Sequence, residues 1–207
     1  MTDRTKRGVR VNSARAQFWM EGLHTTMTLG NDAGLEPAQE REQRLYKKLA
    51  ELGIAWTTHA HVPVFTVEDA RAARVDALAG THTKNLFLEN KNGELFLVAA
   101  REELRLDLNA LAKLIGSPRF SFGKPERLIE VIGIAPGSVS PFALINDGAS
   151  RVRAFLDEGM LGSEPLNFHP LRNDRTTAIG APDLLRFLRA INHEPLVLRL
   201  PEKANSA

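Results

Sequence analysis

A lysine that enters an apolar run is the first residue with the means to do chemistry. Lys84 lies within residues 80–88, just after Gly80 and before Asn85, Leu86 and Phe87. An ammonium that projects from a strand into a cleft can bind a phosphate or a carbonyl oxygen. An exposed lysine on a strand edge, which discourages aggregation, is the alternative. Composition alone favours that alternative.

A short loop with two prolines is the second candidate. Gly137 and Ser138 lie between Pro136 and Pro141, and an apolar run follows. The prolines stiffen the chain, and the glycine lets the backbone approach a ligand closely. Backbone N–H groups in such a loop can receive a carbonyl oxygen or an oxyanion. An ordinary surface turn would need no ligand at all.

Polar residues crowd a third segment, residues 167–177, which contains His169 and Asn173. Histidine, asparagine and aspartate can hydrogen-bond a sugar or an amine, although an Asx-type turn with a structural histidine has the same composition. His59 and His61 alternate on an expected strand, but no third metal ligand has a suitable spacing. We therefore predict neither a metal nor a cofactor.

Four basic residues form a possible local patch for RNA phosphates, opposed only by Glu126; they are Lys113, Arg119, Lys124 and Arg127. A solvated surface is the alternative. The formal net charge is only +2, and residues 1–27 contain five basic and two acidic residues. The remainder is therefore close to neutral, unlike a general nucleic-acid binder.

Helical periodicity and turn residues predict the elements that must position these groups. Pro37 suits the first turn of a helix that presents Leu45, Leu49 and Leu52 and ends at Gly53. A strand is expected over residues 54–62, a helix over 66–79, and a hairpin of strands 83–89 and 94–100.

The second half of the chain alternates short strands with helices. Asp107 is expected to cap a helix over 108–115, and further helices are expected over 125–132 and 182–191. Strands are expected over 119–122, 142–146, 152–156, 166–169 and 176–179. The pattern predicts a single mixed α/β domain over residues 37–200, with a largely antiparallel or mixed central sheet flanked by helices. Residues 1–36 are expected to be a disordered extension.

Composition excludes several classes of protein. The chain of 207 residues has no cysteine, which removes disulfides and thiolate nucleophiles. It has no apolar run long enough to span a membrane and no secretory signal. We expect a cytoplasmic protein that binds neither membrane nor DNA.

Several motifs in a fixed order carry a resemblance to a known family. Residues 84–88, 120–125, 136–147 and 167–177 together resemble the bacterial prolyl-tRNA editing family, over roughly residues 38–195. That family includes an insertion domain of bacterial prolyl-tRNA synthetases and free-standing deacylases. This sequence is most similar to the deacylases that remove alanine from tRNA(Pro).

The resemblance implies a mixed-sheet α/β fold and a reaction without metal or covalent protein intermediate. It assigns the key functional position to Lys84, the substrate-shaping loop to Gly137 and Pro141, and positions near the aminoacyl end to Asn85 and His169. It also implies that the 2′-hydroxyl of the terminal adenosine supplies the proton path. We expect Lys84 to hold the terminal nucleotide and the Gly137 backbone to hold the ester carbonyl or close the pocket.

The expected function is therefore an aminoacyl-tRNA deacylase that removes alanine from tRNA(Pro). The alternative substrates are cysteinyl-tRNA(Pro) or another misacylated tRNA. A catalytically silent aminoacyl-tRNA-binding module and a metal-dependent hydrolase using His59 and His61 are the remaining hypotheses. A transient association with prolyl-tRNA synthetase is the expected protein partnership. Val64, Phe65 and Leu86 are candidates for the wall that excludes proline from the pocket.

Overall fold

The computed structural model describes residues 35–63 and 78–204. Three expectations lie wholly or mostly outside the described residues. They are the extension over residues 1–36, of which 1–34 are not described, the helix over 66–79, of which 66–77 are not described, and the pocket candidates Val64 and Phe65. None of the described helices is both long and apolar enough to cross a membrane.

The first helix and strand begin close to their expected positions. Helix α1 spans Ala38–Glu51 and buries Leu45 and Leu49, as its periodicity predicts, while Pro37 precedes the first turn as its N-cap. Gly53, with a φ of 63°, takes the left-handed conformation that ends the helix. Strand β1 spans Trp56–Ala60 and is shorter than predicted.

The predicted hairpin is confirmed. Strand β2 spans Thr81–Asn90 and strand β3 spans Leu95–Arg101. The side-chain oxygen of Asn90 accepts hydrogen bonds from the backbone N–H groups of Asn92 and Glu94. Gly93 has a φ of 78°, which explains the glycine in the turn.

The next three elements also match the sequence. Helix α2 spans Leu108–Leu114, and Asp107 caps it by accepting from two backbone N–H groups of its first turn. Strand β4 spans Phe120–Phe122. Helix α3 spans Pro125–Ile132 and ends at Gly133 in the left-handed conformation.

The strand predicted over residues 142–146 is wrong, because Pro141–Asn146 forms a 3-10 helix. Phe142, Ala143 and Leu144 are all buried. A short run that is apolar at every position fits a fully buried strand and a fully buried helical turn equally well, so periodicity cannot separate them.

The C-terminal part contains strand β5 (Val152–Asp157), helix α4 (Glu158–Leu161), strand β6 (Leu166–Phe168), strand β7 (Arg175–Ile179), helix α5 (Ala181–Ala190) and strand β8 (Leu196–Leu198). The sequence did not indicate α4 or β8, which have four and three residues. Leu184 and Leu188 of α5 are buried, whereas Leu185 and the C-cap residue Ile191 are only partly buried.

The eight strands form one mixed sheet in the order β1-β7-β6-β2-β3-β5-β8, and β4 also pairs with β2. β2 pairs antiparallel with β3 and β4 but parallel with β6. β5 lies parallel to both β3 and β8. The prediction of a mixed α/β domain is confirmed.

The two faces of the sheet are covered differently. One face packs against α1, α3, the 3-10 helix and α5 in a large apolar core. The other face is covered by a smaller cluster that includes residues of α2 and of strands β2 to β5. That smaller cluster contains no residue of β1, β6 or β7.

A candidate active site at a gap in the sheet

One edge of β2 is only partly paired. β6 pairs with Thr81 and His82, and β4 pairs with the far end of the strand at Leu88, Glu89 and Asn90. Between these pairings, residues 84–86 have no partner strand on that edge among the strands that the structure describes. We call this open stretch of β2 the sheet gap.

Lys84 and Asn85 both lie in the sheet gap but project from opposite faces of the sheet. Side chains alternate along a strand. Lys84 pairs with Ala100, which belongs to the smaller core, whereas Asn85 pairs with Ala99, which belongs to the larger core. A ligand that contacts both side chains must therefore reach into the gap.

The Lys84 ammonium is bound to the turn that follows β3. Its Nζ donates to the carbonyl oxygen of Glu102 at 2.9 Å and to that of Leu104. Burial lowers the pKa of Lys84, and the nearby carboxylates of Glu103, Glu102 and Glu202 oppose that shift. An ammonium has three N–H bonds, so one remains beyond these two carbonyl acceptors.

Asn85 holds a buried acceptor for which the described residues offer no donor. Its Oδ1 is buried and has no hydrogen-bond partner among the described residues. Its Nδ2 lies 3.5 Å from Thr83 Oγ1, which donates to the Asn167 carbonyl oxygen at 2.7 Å. A buried polar atom without a partner destabilises the fold, which makes it a candidate for contact with a ligand.

His169 follows directly after β6 and is fixed in one tautomer. Its Nδ1 lies 2.9 Å from the Arg175 carbonyl oxygen, which can only accept, so Nδ1 carries the proton. Burial lowers the pKa of His169, and the neighbouring His61 ring at 6.2 Å adds to that shift. A neutral imidazole protonated at Nδ1 leaves Nε2 as an acceptor.

The loop before the 3-10 helix is tied to this histidine. Ser140 Oγ donates to the carbonyl oxygen of His169 at 2.7 Å. Gly137 is exposed with a φ of 91°, and Ser138 is buried. Pro141 opens the 3-10 helix, whose first aromatic ring, Phe142, packs edge-on against another core ring. The loop and the His169 segment therefore meet.

Known proteins resemble this chain in sequence and in fold. Residues 61–187 match the model of the aminoacyl-tRNA editing domain. A zebrafish (Danio rerio) protein, prolyl-tRNA synthetase associated domain-containing protein 1, is 36% identical over 80% of this chain and 90% of its own length. The prolyl-tRNA editing protein ProX of Acetoanaerobium sticklandii is 32% identical over 73% of this chain and 92% of its own.

The chain belongs to the aminoacyl-tRNA editing domain family. A solved structure described as a candidate trans-editing enzyme for prolyl tRNA synthetase has the same fold, with a TM-score of 0.61 and 24% identity. It matches 82% of this chain and all of its own. The editing-domain match includes the sheet gap, the Gly137 loop and the His169 segment.

Residues that the sequence did not single out anchor the turn after His169 in this editing domain. Glu42 of α1 forms ion pairs with Arg172 at 3.2 Å and with Arg175 at 3.5 Å. Arg172 also pairs with Asp174. Asn173 lies buried within the same turn. Glu42 is 130 residues away from Arg172, and no local pattern in the sequence indicates this contact.

His59 and His61, the two histidines considered as metal ligands, differ in their surroundings. His61 Nδ1 lies 2.7 Å from the Val62 carbonyl oxygen, and its Nε2 lies 3.0 Å from Thr176 Oγ1. His59 is exposed. Within residues 35–63 and 78–204, no group of three or more potential metal ligands is found.

The four predicted RNA-binding residues do not form one uniform patch. Lys113, Arg119 and Lys124 are exposed. Arg127 is half-buried and pairs with Glu130 at 3.0 Å. The ion pair offsets the charge of Arg127, which leaves the other three as the better candidates for phosphate contact.

Proposed function

We propose that this editing-domain protein hydrolyses the ester bond between tRNA(Pro) and a misacylated amino acid, with alanine as the preferred amino acid. The observation that carries the proposal is the meeting of three segments at one place. Lys84 and Asn85 lie in the sheet gap, Thr83 binds the strand that leads to His169, and Ser140 binds His169 itself.

The chemistry needs few protein groups. An aminoacyl ester is already activated, so its hydrolysis requires a positioned water, stabilisation of the developing oxyanion and a path for the proton. The Lys84 ammonium has a third N–H group beyond the two that donate to carbonyl oxygens. We propose that this third N–H group donates a hydrogen bond to the terminal nucleotide. The backbone at Gly137, in a conformation that favours glycine, is the proposed contact for the ester carbonyl.

Two acceptors complete the proposed site. The unpartnered Oδ1 of Asn85 suits the α-ammonium group of the aminoacyl moiety, which is a donor. His169 Nε2 suits a ribose hydroxyl, because burial keeps the imidazole neutral and Nδ1 already donates to Arg175. Ser138 and Asn173 are proposed as further substrate contacts from their places in the loop and in the turn after His169.

Selectivity for alanine follows from size in this proposal. A synthetase site built for proline rejects a smaller amino acid by only about 1–3 kcal/mol per missing methylene. A second site that is too small for proline would correct such errors. Leu86, a partly buried residue of the sheet gap, is the proposed wall among the described residues.

An association with prolyl-tRNA synthetase is part of the same proposal, because that enzyme produces the misacylated tRNA. The zebrafish relative bears the name of a synthetase-associated protein. Co-sedimentation of this chain with purified prolyl-tRNA synthetase, with and without tRNA(Pro), tests the association.

The deciding experiment measures amino acid release from alanyl-, cysteinyl- and prolyl-tRNA(Pro) by the native protein and by Lys84→Ala. We expect rapid release of alanine, no release of proline, and a loss of about 10²- to 10³-fold in kcat/KM for the variant. Lys91→Ala, in the exposed turn of the same hairpin, is the matched control and should retain full activity.

Other outcomes would revise the proposal. Preferential release of cysteine would preserve the reaction and change the substrate. Binding of tRNA by folded protein without release of any amino acid would indicate a silent binding module. Equal activity of Lys84→Ala and Lys91→Ala would remove Lys84 from the site.

A further inference from the structure

A large aromatic side chain is exposed beside the sheet gap. Phe122, the last residue of β4, is 65% exposed. The other exposed large hydrophobic residues in the described part of the chain are aliphatic. An exposed phenylalanine on this short strand contributes little to the core, and its aromatic face is open to contact with a ligand.

The backbone fixes Phe122 on the same face of the sheet as Lys84. Phe122 pairs with Leu88, which lies four residues after Lys84 on β2, so their side chains share one face. At about 3.3 Å per residue, Lys84 lies about 13 Å along β2 from Leu88, the residue with which Phe122 pairs. The next residue, Gly123, donates to the Phe87 carbonyl oxygen at 2.9 Å.

Gly123, the residue directly after β4, packs closely against Phe87 of β2. A Cβ at Gly123 would lie 2.3 Å from the Phe87 ring, so only glycine allows the chain to pack against it there. The tight approach holds the end of β4, and with it Phe122, at the rim of the sheet gap.

Cations flank the aromatic ring in sequence. Arg119 lies just before β4 and Lys124 lies two residues after Phe122, and both are exposed. Neither takes part in the ion pairs found among the described residues. Glu126, in the first turn of α3, is the nearby acidic residue. An exposed aromatic ring with basic residues close to it in the chain is a combination with which proteins bind single-stranded nucleic acids, through base stacking and phosphate contacts.

We infer that Phe122 stacks on an unpaired base of the acceptor end of tRNA, while Arg119 and Lys124 contact the adjacent phosphates. The inference rests on the proposed function, which puts the terminal nucleotide at Lys84. Stacked nucleotides advance about 3.4 Å each along one strand, so about four of them cover the distance from Lys84 to Phe122. The unpaired end therefore lies along the rim, with its terminal ester at the sheet gap.

The test measures binding of uncharged RNA, so that it does not depend on catalysis. The probes are a hairpin carrying the acceptor stem of tRNA(Pro) with its unpaired 3′ end, and the same hairpin with that end removed. Phe122→Ala should bind the complete hairpin roughly 5- to 150-fold more weakly than the native protein, because one base stack is lost. Phe122→Trp should retain the affinity, and the truncated hairpin should bind Phe122→Ala and native protein equally.

Two kinds of control separate stacking from other effects. Leu196→Ala removes an exposed hydrophobic side chain from β8, which is the last strand in the order and is separated from β2 by β3 and β5, and should not alter binding. Arg119→Ala and Lys124→Ala should each reduce the slope of log affinity against log salt by about one, whereas Phe122→Ala should leave that slope unchanged.

Three results would overturn the inference: undiminished binding by Phe122→Ala, an equal loss on both hairpins, or a native dimer that Phe122→Ala converts to monomer. The last would show that the ring covers a second copy of the chain. Binding of the unpaired end that depends on Phe122, in a protein that releases no amino acid, would reject the proposed function and leave this inference standing.

Discussion

The hydroxyl of Ser140 donates a 2.7 Å hydrogen bond to the carbonyl oxygen of His169. Ser140 is fully buried and immediately precedes the 3-10 helix. The bond therefore joins the Gly137 loop to the segment that carries the buried imidazole. Movement of one is coupled to the position of the other.

Ser140→Ala should remove the hydrogen bond that joins the Gly137 loop to the His169 segment. The His169 carbonyl would be left without its donor in a buried place, which destabilises the fold by about 1–3 kcal/mol. Urea unfolding measures that loss, and the rate of alanine release should fall with it as the loop loosens. Ser121→Ala removes an exposed hydroxyl that also donates to a carbonyl, and it should change stability by less than about 1 kcal/mol. Similar losses in the two variants would contradict the role given to Ser140.

Asn85→Ala should separate stability from activity. Its Oδ1 has no partner among the described residues, and its Nδ2 has only a 3.5 Å contact, so the free energy of unfolding should stay within about 1 kcal/mol of the native value or rise. Release of alanine should fall about tenfold or more if Oδ1 receives the substrate ammonium.

The matched control for Asn85 lies on the same strand. Asn90 both donates to Ser117 and accepts from two backbone N–H groups of the hairpin turn. Asn90→Ala should therefore lower the free energy of unfolding by about 2–3 kcal/mol and leave alanine release by the folded protein unchanged. If Asn85→Ala were the less stable variant, its side chain would be structural.

His169 should make stability depend on pH. Burial lowers its folded-state pKa below the ordinary value of about 6.5, so the unfolded chain takes up a proton more readily than the folded one. The contribution of His169 to the free energy of unfolding is fully present above about pH 6.5. It is lost as the pH falls from there through the pKa of His169 in the folded protein.

Comparison with His169→Gln isolates this effect from other titrating groups. Urea midpoints measured from about pH 7.5 to about pH 5 should fall more steeply for the native protein than for the variant. Parallel curves would show that His169 does not carry the pH dependence.

Local patterns predicted most of the elements but not the contacts between distant segments. The Asp107 cap and the turn at Gly93 follow from neighbouring residues, and both are confirmed. The apolar run after Pro141 has no period, which is why a strand was expected where a 3-10 helix forms.

The candidate site shows the same limit. The motif that contains Lys84 and Asn85 is visible in the sequence, and strand alternation sends the two side chains to opposite faces. The sheet gap, in contrast, exists because β4 and β6 pair with different ends of β2. Thr81 pairs with Leu166 and Leu88 pairs with Phe122, and no local pattern in the sequence encodes pairing over such separations.

Glu42→Gln should destabilise the turn that follows His169. The Glu42 side chain is 7% exposed and pairs with Arg172 and Arg175, so its neutralisation leaves two cations without their shared carboxylate. Breaking a buried ion pair from one side typically costs about 3–5 kcal/mol; we expect about 3 kcal/mol, because Arg172 keeps Asp174 and Arg175 is partly exposed. Urea unfolding measures this loss of stability, with Glu51→Gln as the control, since the exposed pair of Glu51 with Lys48 should contribute less than about 1 kcal/mol.

A double variant tests whether Glu42 and Arg172 act together. In the Glu42→Gln background, Arg172→Met should lower the free energy of unfolding by less than it does in the native protein, because the partner of Arg172 is already lost. Additive effects of the two substitutions would show that Glu42 and Arg172 act independently and that α1 does not anchor the turn.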